Sequence, residues 1–194
     1  MNRFVIMTVG KTHSGKTTFA KALEKELMNS VVIDQDHHAD FLHTHYKKLL
    51  PQQGQNAIKV ALTQTIVNYA VNETEYHVIL CNSNRNQQGR LQLLKQYHQK
   101  GFQSILVHFE IADDVLKERV ENSQRGTSIL RTASNFGEVL NRQQRETNTG
   151  HIIAPQEGEA SHLLTINNSS EIRAVIEEIV SIVSNNNKRT ITSN

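Results

Sequence analysis

The octapeptide Gly10–Thr17 constrains this chain of 194 residues more than any other feature. Its residues, Gly-Lys-Thr-His-Ser-Gly-Lys-Thr, match the pattern G-x-x-x-x-G-K-[ST] in full. The apolar run 4–9 precedes it, and large apolar residues recur at every fourth position over 19–27, which indicates a buried strand leading into an amphipathic helix. A loop at such a junction points backbone N–H groups at an anion, and the helix N-terminus adds its partial positive charge. We therefore predict a phosphate-binding loop; the alternative is a glycine turn that binds nothing.

The loop residues carry the predicted nucleotide and metal contacts. Lys16 is expected to bridge the β- and γ-phosphates of ATP as a catalytic group, and the Thr17 hydroxyl is expected to ligate Mg²⁺. His13 occupies a variable position of the pattern, for which we predict no chemistry. The residues predicted to contact the nucleotide are Gly10, Lys11, Thr12, His13, Ser14, Gly15, Lys16, Thr17 and Thr18.

Short apolar runs alternate with helical periodicities along the rest of the chain. This alternation predicts an α/β fold, a three-layer sandwich with a five-stranded parallel sheet. One domain is expected over 1–184, followed by a polar tail, 185–194, that is predicted to be disordered. Asp113 or Asp114, and Ser169, are the expected caps of two helices. The predicted strands are 4–9, 31–33, 77–81, 104–109 and 162–166, and the predicted helices are 15–28, 55–72, 86–100, 113–122, 134–146 and 169–183.

Composition narrows the function classes. The single cysteine excludes an intrachain disulfide and indicates a reducing compartment, and no apolar run is long enough for a membrane span, so a cytoplasmic protein without membrane contact is expected. The net charge of +2 suits a phosphate-bearing substrate but is small for a nucleic-acid-binding surface. Six Phe, four Tyr and no Trp offer few platforms for stacking bases, so a nucleic-acid partner is not expected. Nothing in the sequence indicates an oligomeric state.

Two carboxylates follow the second predicted strand, on the side of the phosphate loop. Asp34 and Asp36 are two residues apart, so in an extended segment their side chains point the same way. Asp36 lies further past the strand and is assigned as the general base for an acceptor hydroxyl, while Asp34 is assigned to orient water on the Mg²⁺ that Thr17 holds. In the structural alternative, Asp36 is the N-cap of the next helix and Asp34 is solvated.

Several segments resemble the zeta-toxin type of P-loop kinase. Residues 31–41, VVIDQDHHADF, are similar to that family's V-I-D-x-D segment. Residues 77–90 resemble the strand, polar turn and arginine of related small kinases, a group that includes polynucleotide, gluconate, shikimate and chloramphenicol kinases. Residues 114–125 resemble the start of the family's arginine-bearing lid, and the whole similarity spans about 3–125. It implies transfer of the γ-phosphate of ATP to a hydroxyl of a small-molecule or nucleotide-type acceptor.

Cys81 is the last residue of the predicted strand 77–81 and departs from the pattern of many P-loop enzymes, which carry an acid at the end of the corresponding strand. A neutral thiol does not replace a carboxylate as a ligand of Mg²⁺, and the absence of a basic partner in the sequence predicts an inert, buried cysteine. Two alternatives to a small-molecule kinase therefore stay open. One is a nucleotide-binding regulatory or toxin-like protein without kinase turnover, and the other is a 5′-hydroxyl polynucleotide kinase.

Arginines are concentrated in and just before a polar segment, 123–150, whose weak apolar periodicity predicts a mobile flap, the lid. Arg119 and Arg125 are the predicted catalytic arginines, because arginines of a closing lid neutralise charge on the transferred phosphoryl group. Arg131 and Arg142 are further candidates. The alternative for each arginine is a solvated helix face or an acidic neighbour.

Two other groups of residues follow the second and third predicted strands. Arg85 and Arg90 are placed on the acceptor side, where one of them is expected to bind an anionic group of the acceptor. Four histidines have the residue type of metal ligands, but no Cys or H-E-x-x-H motif accompanies them, so acceptor contact or plain surface is favoured over a zinc site. These histidines are His37, His38, His43 and His45.

Overall fold

The computed structural model describes residues 2–150 and 152–191, with side chains up to Asn186. The strands are β1 (Phe4–Gly10), β2 (Ser30–Ile33), β3 (His77–Leu80), β4 (Gln103–Phe109) and β5 (His162–Ile166). They form one sheet in the order β2-β3-β1-β4-β5, and every neighbouring pair is parallel. Helices cover both faces of this sheet, so the predicted three-layer α/β sandwich is confirmed.

The helices connect successive strands of the sheet. The α-helices of the described residues are α1 (Lys16–Glu26), α2 (Gln35–His45), α3 (Ala57–Asn72), α4 (Gln87–Gln99), α5 (Asp113–Glu121), α6 (Phe136–Asn148) and α7 (Ile172–Ile191). Short 3₁₀ helices occur at Lys47–Leu49 and Ser169–Glu171. In the part of the chain that the structure describes, none of these helices is long and apolar enough to cross a bilayer.

Strand β1 lies at the centre of the sheet and is buried along its whole length. Its side chains alternate between two apolar cores, as the two-residue period of a strand requires. Phe4 and Ile6 pack into the core that α1 and α7 cover, whereas Val5 and Met7 pack into the core that α3 and α4 cover. The run 4–9 is continuously apolar because a parallel sheet is covered on both faces.

The carboxyl ends of the parallel strands meet at one edge of the sheet. Strand β1 lies between β3 and β4, so a crevice opens beyond its end, where the phosphate loop begins. The turn after β3 is tied to this loop, because the Gly10 N–H donates to the Ser83 carbonyl (3.0 Å). The Asn84 amide likewise donates to the Thr8 carbonyl (2.9 Å). The edge is therefore a rigid platform for the loops that follow β1 and β3.

Two helices differ from the sequence prediction. Helix α2 has no predicted counterpart, because most of its residues are polar and only Ala39 and Leu42 are buried. Helix α7 runs to Ile191 instead of ending near Val183, since no Gly or Pro follows Val183 to stop it. It thus includes much of the segment predicted as a disordered tail, and residues 192–194 lie outside the described residues.

The predicted helix caps are also wrong. Ala112 occupies the N-cap of α5 and offers no side-chain cap, while Asp113 and Asp114 lie in the first turn, where their charge complements the helix dipole. Ser169 lies inside a 3₁₀ helix, and Asn168 supplies the capping side chain. Caps are set by the residue at which the backbone turns, which the sequence places only to within a residue or two.

The predicted lid, 123–150, consists of two unlike parts. Its first part, which we call the lid loop (residues 123–135), has no regular secondary structure. The rest is mainly α6, which buries Phe136, Val139 and Leu140 against the protein. The mobility predicted for the whole segment is therefore expected of the lid loop alone.

Candidate functional site

The phosphate loop depends on two glycines for different reasons. A Cβ on Gly10 would lie 2.9 Å from the Phe109 Cβ and 3.1 Å from the Phe109 carbonyl, so only glycine fits beside β4. Gly15, directly before α1, has a φ of 100°, a conformation in which a side chain is strained. Together they let the chain turn from β1 into α1 so that the backbone of the loop lines the crevice.

Lys16 points back over the loop that it follows. Its ammonium donates to the Lys11 carbonyl (2.5 Å) and to the Ser14 hydroxyl (3.0 Å). Both partners are neutral, and burial lowers the pKa of Lys16 to about 8. A desolvated cation with only neutral partners gains most from an anion, so the site is suited to bind phosphate oxygens.

Thr17 and Asp34, the residues predicted to bind the metal, lie together. The Thr17 hydroxyl donates to Asp34 Oδ2 (3.2 Å), and Asp34 is almost fully buried. The Cys81 thiol lies 3.6 Å from the same hydroxyl. Burial, together with the neighbouring Asp34 carboxylate, raises the pKa of Cys81 to about 11, so the sulfur stays a neutral thiol. A hydroxyl and a carboxylate are hard oxygen ligands that fit Mg²⁺, whereas the thiol does not.

The two aspartates do not share an extended segment. Asp34 is the N-cap of α2 and accepts the Asp36 N–H (2.9 Å), so Asp36 already lies in the first helical turn and is exposed. The prediction that both point the same way along a strand is wrong, because only Asp34 separates the end of β2 from the start of α2. The structural alternative is reversed as well, since Asp34 caps and Asp36 is solvated.

The two predicted catalytic arginines both reach the cavity over the loop. Arg119 donates to the His13 carbonyl (3.1 Å) and to the Ser169 hydroxyl (2.8 Å), which bridges the phosphate loop and the segment after β5. Arg125 pairs with Asp36 (Nη2–Oδ2, 2.7 Å), and 37% of its side chain remains exposed, against 51% for Asp36. An ion pair this exposed contributes only about 0–1 kcal/mol and can separate readily.

Arg85 and Arg90, predicted on the acceptor side, serve the fold instead. Arg85 is buried and donates to Glu146 (2.9 Å) and to two oxygens of α6, and burial lowers its pKa. Arg90 is buried more completely and pairs with Glu159 (Nε–Oε2, 2.7 Å). Their assignment to an acceptor anion is wrong, because their partners come from residues far along the chain that a local pattern does not reveal.

Three residues at the site were not singled out by the sequence. The buried Gln143 of α6 accepts the Thr12 N–H with its side-chain oxygen (2.7 Å). Ser123, the first residue of the lid loop, and Phe136, directly after its last residue, contact His13 of the phosphate loop. The one available signal is Gln143 on the apolar face of a predicted helix, where a polar residue needs a partner.

A cavity of about 840 Å³ lies over the loop and is lined by every residue from Thr12 to Thr18. Its lining includes Arg119, Ser169 and Ile172, which follow β4 and β5, and Lys59 of α3, a helix that packs against β2 at the opposite edge of the sheet. A volume of this size is typical of sites for small ligands. A second cavity, of about 330 Å³, adjoins it where Thr17, the two aspartates and Arg125 meet.

The predicted histidine cluster is dispersed. His38 is held between α2 and α3 by the Thr63 hydroxyl (2.8 Å), and His45 packs against Phe41. Over residues 2–150 and 152–191, no three His, Cys, Asp or Glu side chains are grouped as metal ligands. His38 and His45 thus have separate partners, one on α3 and one on α2.

Comparison with known proteins places this chain among nucleotide-binding folds. Residues 5–148 match the family described as AAA domain. A proposed kinase from Chloroflexus aurantiacus has 15% identity and a TM-score of 0.67, covering 95% of this chain and 97% of the other. Shikimate kinase from Bacteroides thetaiotaomicron has 16% identity and a TM-score of 0.57, covering 93% and 98%.

A third solved structure, the APS kinase of Mycobacterium tuberculosis in complex with AMPPNP and APS, has 13% identity and a TM-score of 0.54, covering 94% and 98%. At these identities the likeness shows a shared P-loop kinase fold over nearly the whole chain. A search of curated proteins finds no significant match.

Proposed function

The chain belongs to the AAA domain family, and from this premise we propose that it is an ATP-dependent phosphotransferase that moves the γ-phosphate of ATP to a hydroxyl of a small acceptor. The observation that carries the proposal is the convergence of Lys16, Thr17 and Asp34 at the carboxyl edge of the sheet, where Lys16 and Thr17 line the larger cavity and Asp34 lines the adjoining one. A cation, a hydroxyl and a carboxylate in this arrangement are the parts that phosphoryl transfer requires on the nucleotide side.

Binding of the nucleotide exchanges protein oxygens for phosphate oxygens. Lys16 leaves the Lys11 carbonyl and the Ser14 hydroxyl for the β- and γ-phosphates. The Thr12 N–H is similarly available once it leaves the Gln143 side chain. Thr17 and Asp34 would hold Mg²⁺, Asp34 through water, and the ion supplies charge neutralisation on the phosphates when bound.

The ion pair between Arg125 and Asp36 suggests how transfer is gated. A γ-phosphate near the lid loop attracts Arg125 away from Asp36, because a phosphate carries more charge than one carboxylate. Asp36 is then free to accept the acceptor's hydroxyl proton while the acceptor oxygen bonds to the γ-phosphorus and the bond from phosphorus to ADP breaks. Arg125 neutralises the transferred group in the same movement.

The cavity has a nucleotide end and an acceptor end. We assign the nucleoside to the side of Arg119 and Ser169, which leaves the side of Lys59 for the acceptor. The Lys59 ammonium makes no hydrogen bond or ion pair with the described residues, and Arg131 of the lid loop binds only the Pro51 and Gly54 carbonyls. Two cations without acidic partners favour an acceptor that carries an anionic group besides its hydroxyl.

A nucleotide-binding protein without turnover is the second candidate. It is favoured by Cys81, a neutral thiol at the strand end where many P-loop enzymes have an acid. Asp34 compensates for that acid in the first proposal, since its carboxylate reaches the Thr17 hydroxyl from β2. The two candidates therefore differ in whether one carboxylate at this place is enough for transfer.

The deciding experiment incubates the protein with Mg²⁺, γ-labelled ATP and pools of small hydroxylated metabolites, and identifies labelled products by mass spectrometry. The wild type is expected to yield a phosphorylated product and Lys16→Ala none, while Lys21→Ala, an exposed lysine on the same helix, serves as the matched control. Product from Lys16→Ala would contradict the proposal. Tight Mg²⁺–ATP binding without any product would favour the second candidate.

A further inference from the structure

His13 adopts a backbone conformation that few residues other than glycine adopt. Its φ is 58°, in the left-handed region, although it lies in the middle of the phosphate loop. A glycine adopts this conformation without steric cost. What a histidine adds at this position is therefore its ring.

The ring connects the phosphate loop to Ser123, where the lid loop begins, and to Phe136, directly after its last residue. Its Nδ1 lies 2.9 Å from the Thr12 hydroxyl and its Nε2 lies 2.9 Å from the Ser123 hydroxyl, so both nitrogens are engaged. The ring also packs edge-on against Phe136, with centroids 4.9 Å apart. Burial and the nearby cations lower the pKa of His13, so the ring is neutral at neutral pH, with one nitrogen donating and the other accepting.

The same two partners, Ser123 and Phe136, also contact Arg125. The Ser123 hydroxyl accepts the Arg125 N–H (3.1 Å), and the Arg125 guanidinium lies over the Phe136 ring, 4.9 Å from its centroid. Ser123 and Phe136 therefore each contact both the His13 ring and Arg125. Arg119 adds a direct contact, since it donates to the His13 carbonyl.

We propose that His13 is a positioning residue that fixes Arg125 relative to the phosphate loop through Ser123 and Phe136. A nucleotide that shifts the loop backbone then shifts the arginine with it, so lid-loop placement depends on phosphate occupancy. The role of Arg125 in transfer rests on the proposed function. The link between the loop and the lid loop does not, and can be tested separately.

The test is hydrogen exchange of the backbone amides of 123–136 in His13→Gly, with and without Mg²⁺ and AMPPNP. Glycine keeps the left-handed backbone and removes the ring. We expect these amides to exchange roughly 10-fold faster than in the wild type under both conditions, because the ring no longer ties the lid loop to the phosphate loop. His13→Gln, whose amide can reach Ser123, should restore much of the protection. Asn29→Gly, at a second left-handed residue (φ 56°) outside the site, is the matched control and should leave exchange of 123–136 unchanged.

Two results would overturn the proposal. Exchange of 123–136 equal to that of the wild type in His13→Gly would show that the ring does not hold the lid loop. Loss of nucleotide binding in both His13→Gly and His13→Gln would show that His13 is part of the phosphate cradle itself. If the wild type binds no nucleotide, the proposed function fails, and the comparison without nucleotide still decides whether the link exists.

Discussion

The pair of Arg90 and Glu159 makes the sharpest prediction, because the sequence and the structure assign Arg90 opposite roles. In the structure its side chain is fully buried and donates to Glu159 through Nε (2.7 Å) and Nη2 (3.1 Å). Its remaining donors reach the carbonyls of Asn84, Arg85 and Ile153. The pair thus ties the segment before β5 to the start of α4, and it does not contact the cavity over the loop.

Glu159→Ala leaves the Arg90 charge buried without a counter-ion. Removing one partner of a buried pair costs about 3–5 kcal/mol. For a chain of this length, each kcal/mol lowers the melting temperature by about 2–4 °C, so a fall of roughly 6–20 °C is expected. Replacing both residues, as in Arg90→Met with Glu159→Leu, should recover most of that loss, because a well-packed apolar pair often matches a buried ion pair in stability.

Calorimetry and urea unfolding measure these effects. Glu157→Ala, at an exposed acid two residues away, is the matched control, and its free energy of unfolding should change by no more than ~0.5 kcal/mol. A Glu159→Ala variant as stable as this control would refute the reasoning. So would an Arg90→Met variant that unfolds like the wild type and raises only the KM for an acceptor, since that result would restore the role predicted from the sequence.

Three further predictions concern charge. Affinity for Mg²⁺–ATP should fall as pH rises above about 8, by up to about tenfold per pH unit, because Lys16 loses its proton in the free protein and must regain it to bind. Calorimetric titration from pH 7 to 9.5 measures this, and a constant affinity would contradict it. Asp36→Asn should leave ATP affinity nearly unchanged and lower the transfer rate by ~10²–10⁴-fold. Asp34→Asn, which still caps α2, should raise the Mg²⁺ concentration needed for half-maximal rate. A fully active Asp36→Asn enzyme would show that Asp36 is not the base. His77 Nδ1 accepts the Phe4 N–H (3.0 Å), and burial lowers the pKa of His77. The contribution of His77 to stability is therefore complete above pH 6.5 and is lost as pH falls through the folded-state pKa. Urea midpoints should decline from pH 6.5 to 5, and less steeply in His77→Asn.

The sheet was predictable because its information is local. Each strand is a short apolar run, and a run such as 77–81 is buried on both faces whatever its neighbours are. The phosphate loop was predictable for the same reason, since Gly10 and Gly15 satisfy backbone requirements at fixed spacing. The register and order of the strands then bring Thr17 and Asp34 together as expected.

The roles of individual polar residues were less predictable, because they depend on partners distant in sequence. Arg90 resembles a surface or ligand-binding arginine until Glu159, 69 residues later, is placed beside it. The position of Asp36 depends on a helix that begins two residues after β2 ends, and helix α2 has too few apolar residues to reveal that start. A linear pattern identifies residue types that suit phosphate chemistry, but it does not separate those that face the cavity from those that hold the fold.

The contacts of the loop also explain why its ligand-binding groups can be predicted while their protein partners cannot. The groups that phosphate chemistry requires already have protein oxygens as partners: a carbonyl and a hydroxyl for Lys16, an amide for the Thr12 N–H and a carboxylate for Arg125. Hydrogen bonds that involve a charged group contribute about 1.5–3 kcal/mol, against about 0.5–1.5 kcal/mol for neutral pairs, so moving the Thr12 N–H from a neutral amide to a phosphate oxygen gains roughly 1 kcal/mol. The exchange at Arg125 differs, because it trades one anion for another and gains little by itself. In the proposed mechanism this exchange frees Asp36 to act as the base, so opening of the ion pair couples nucleotide binding to transfer.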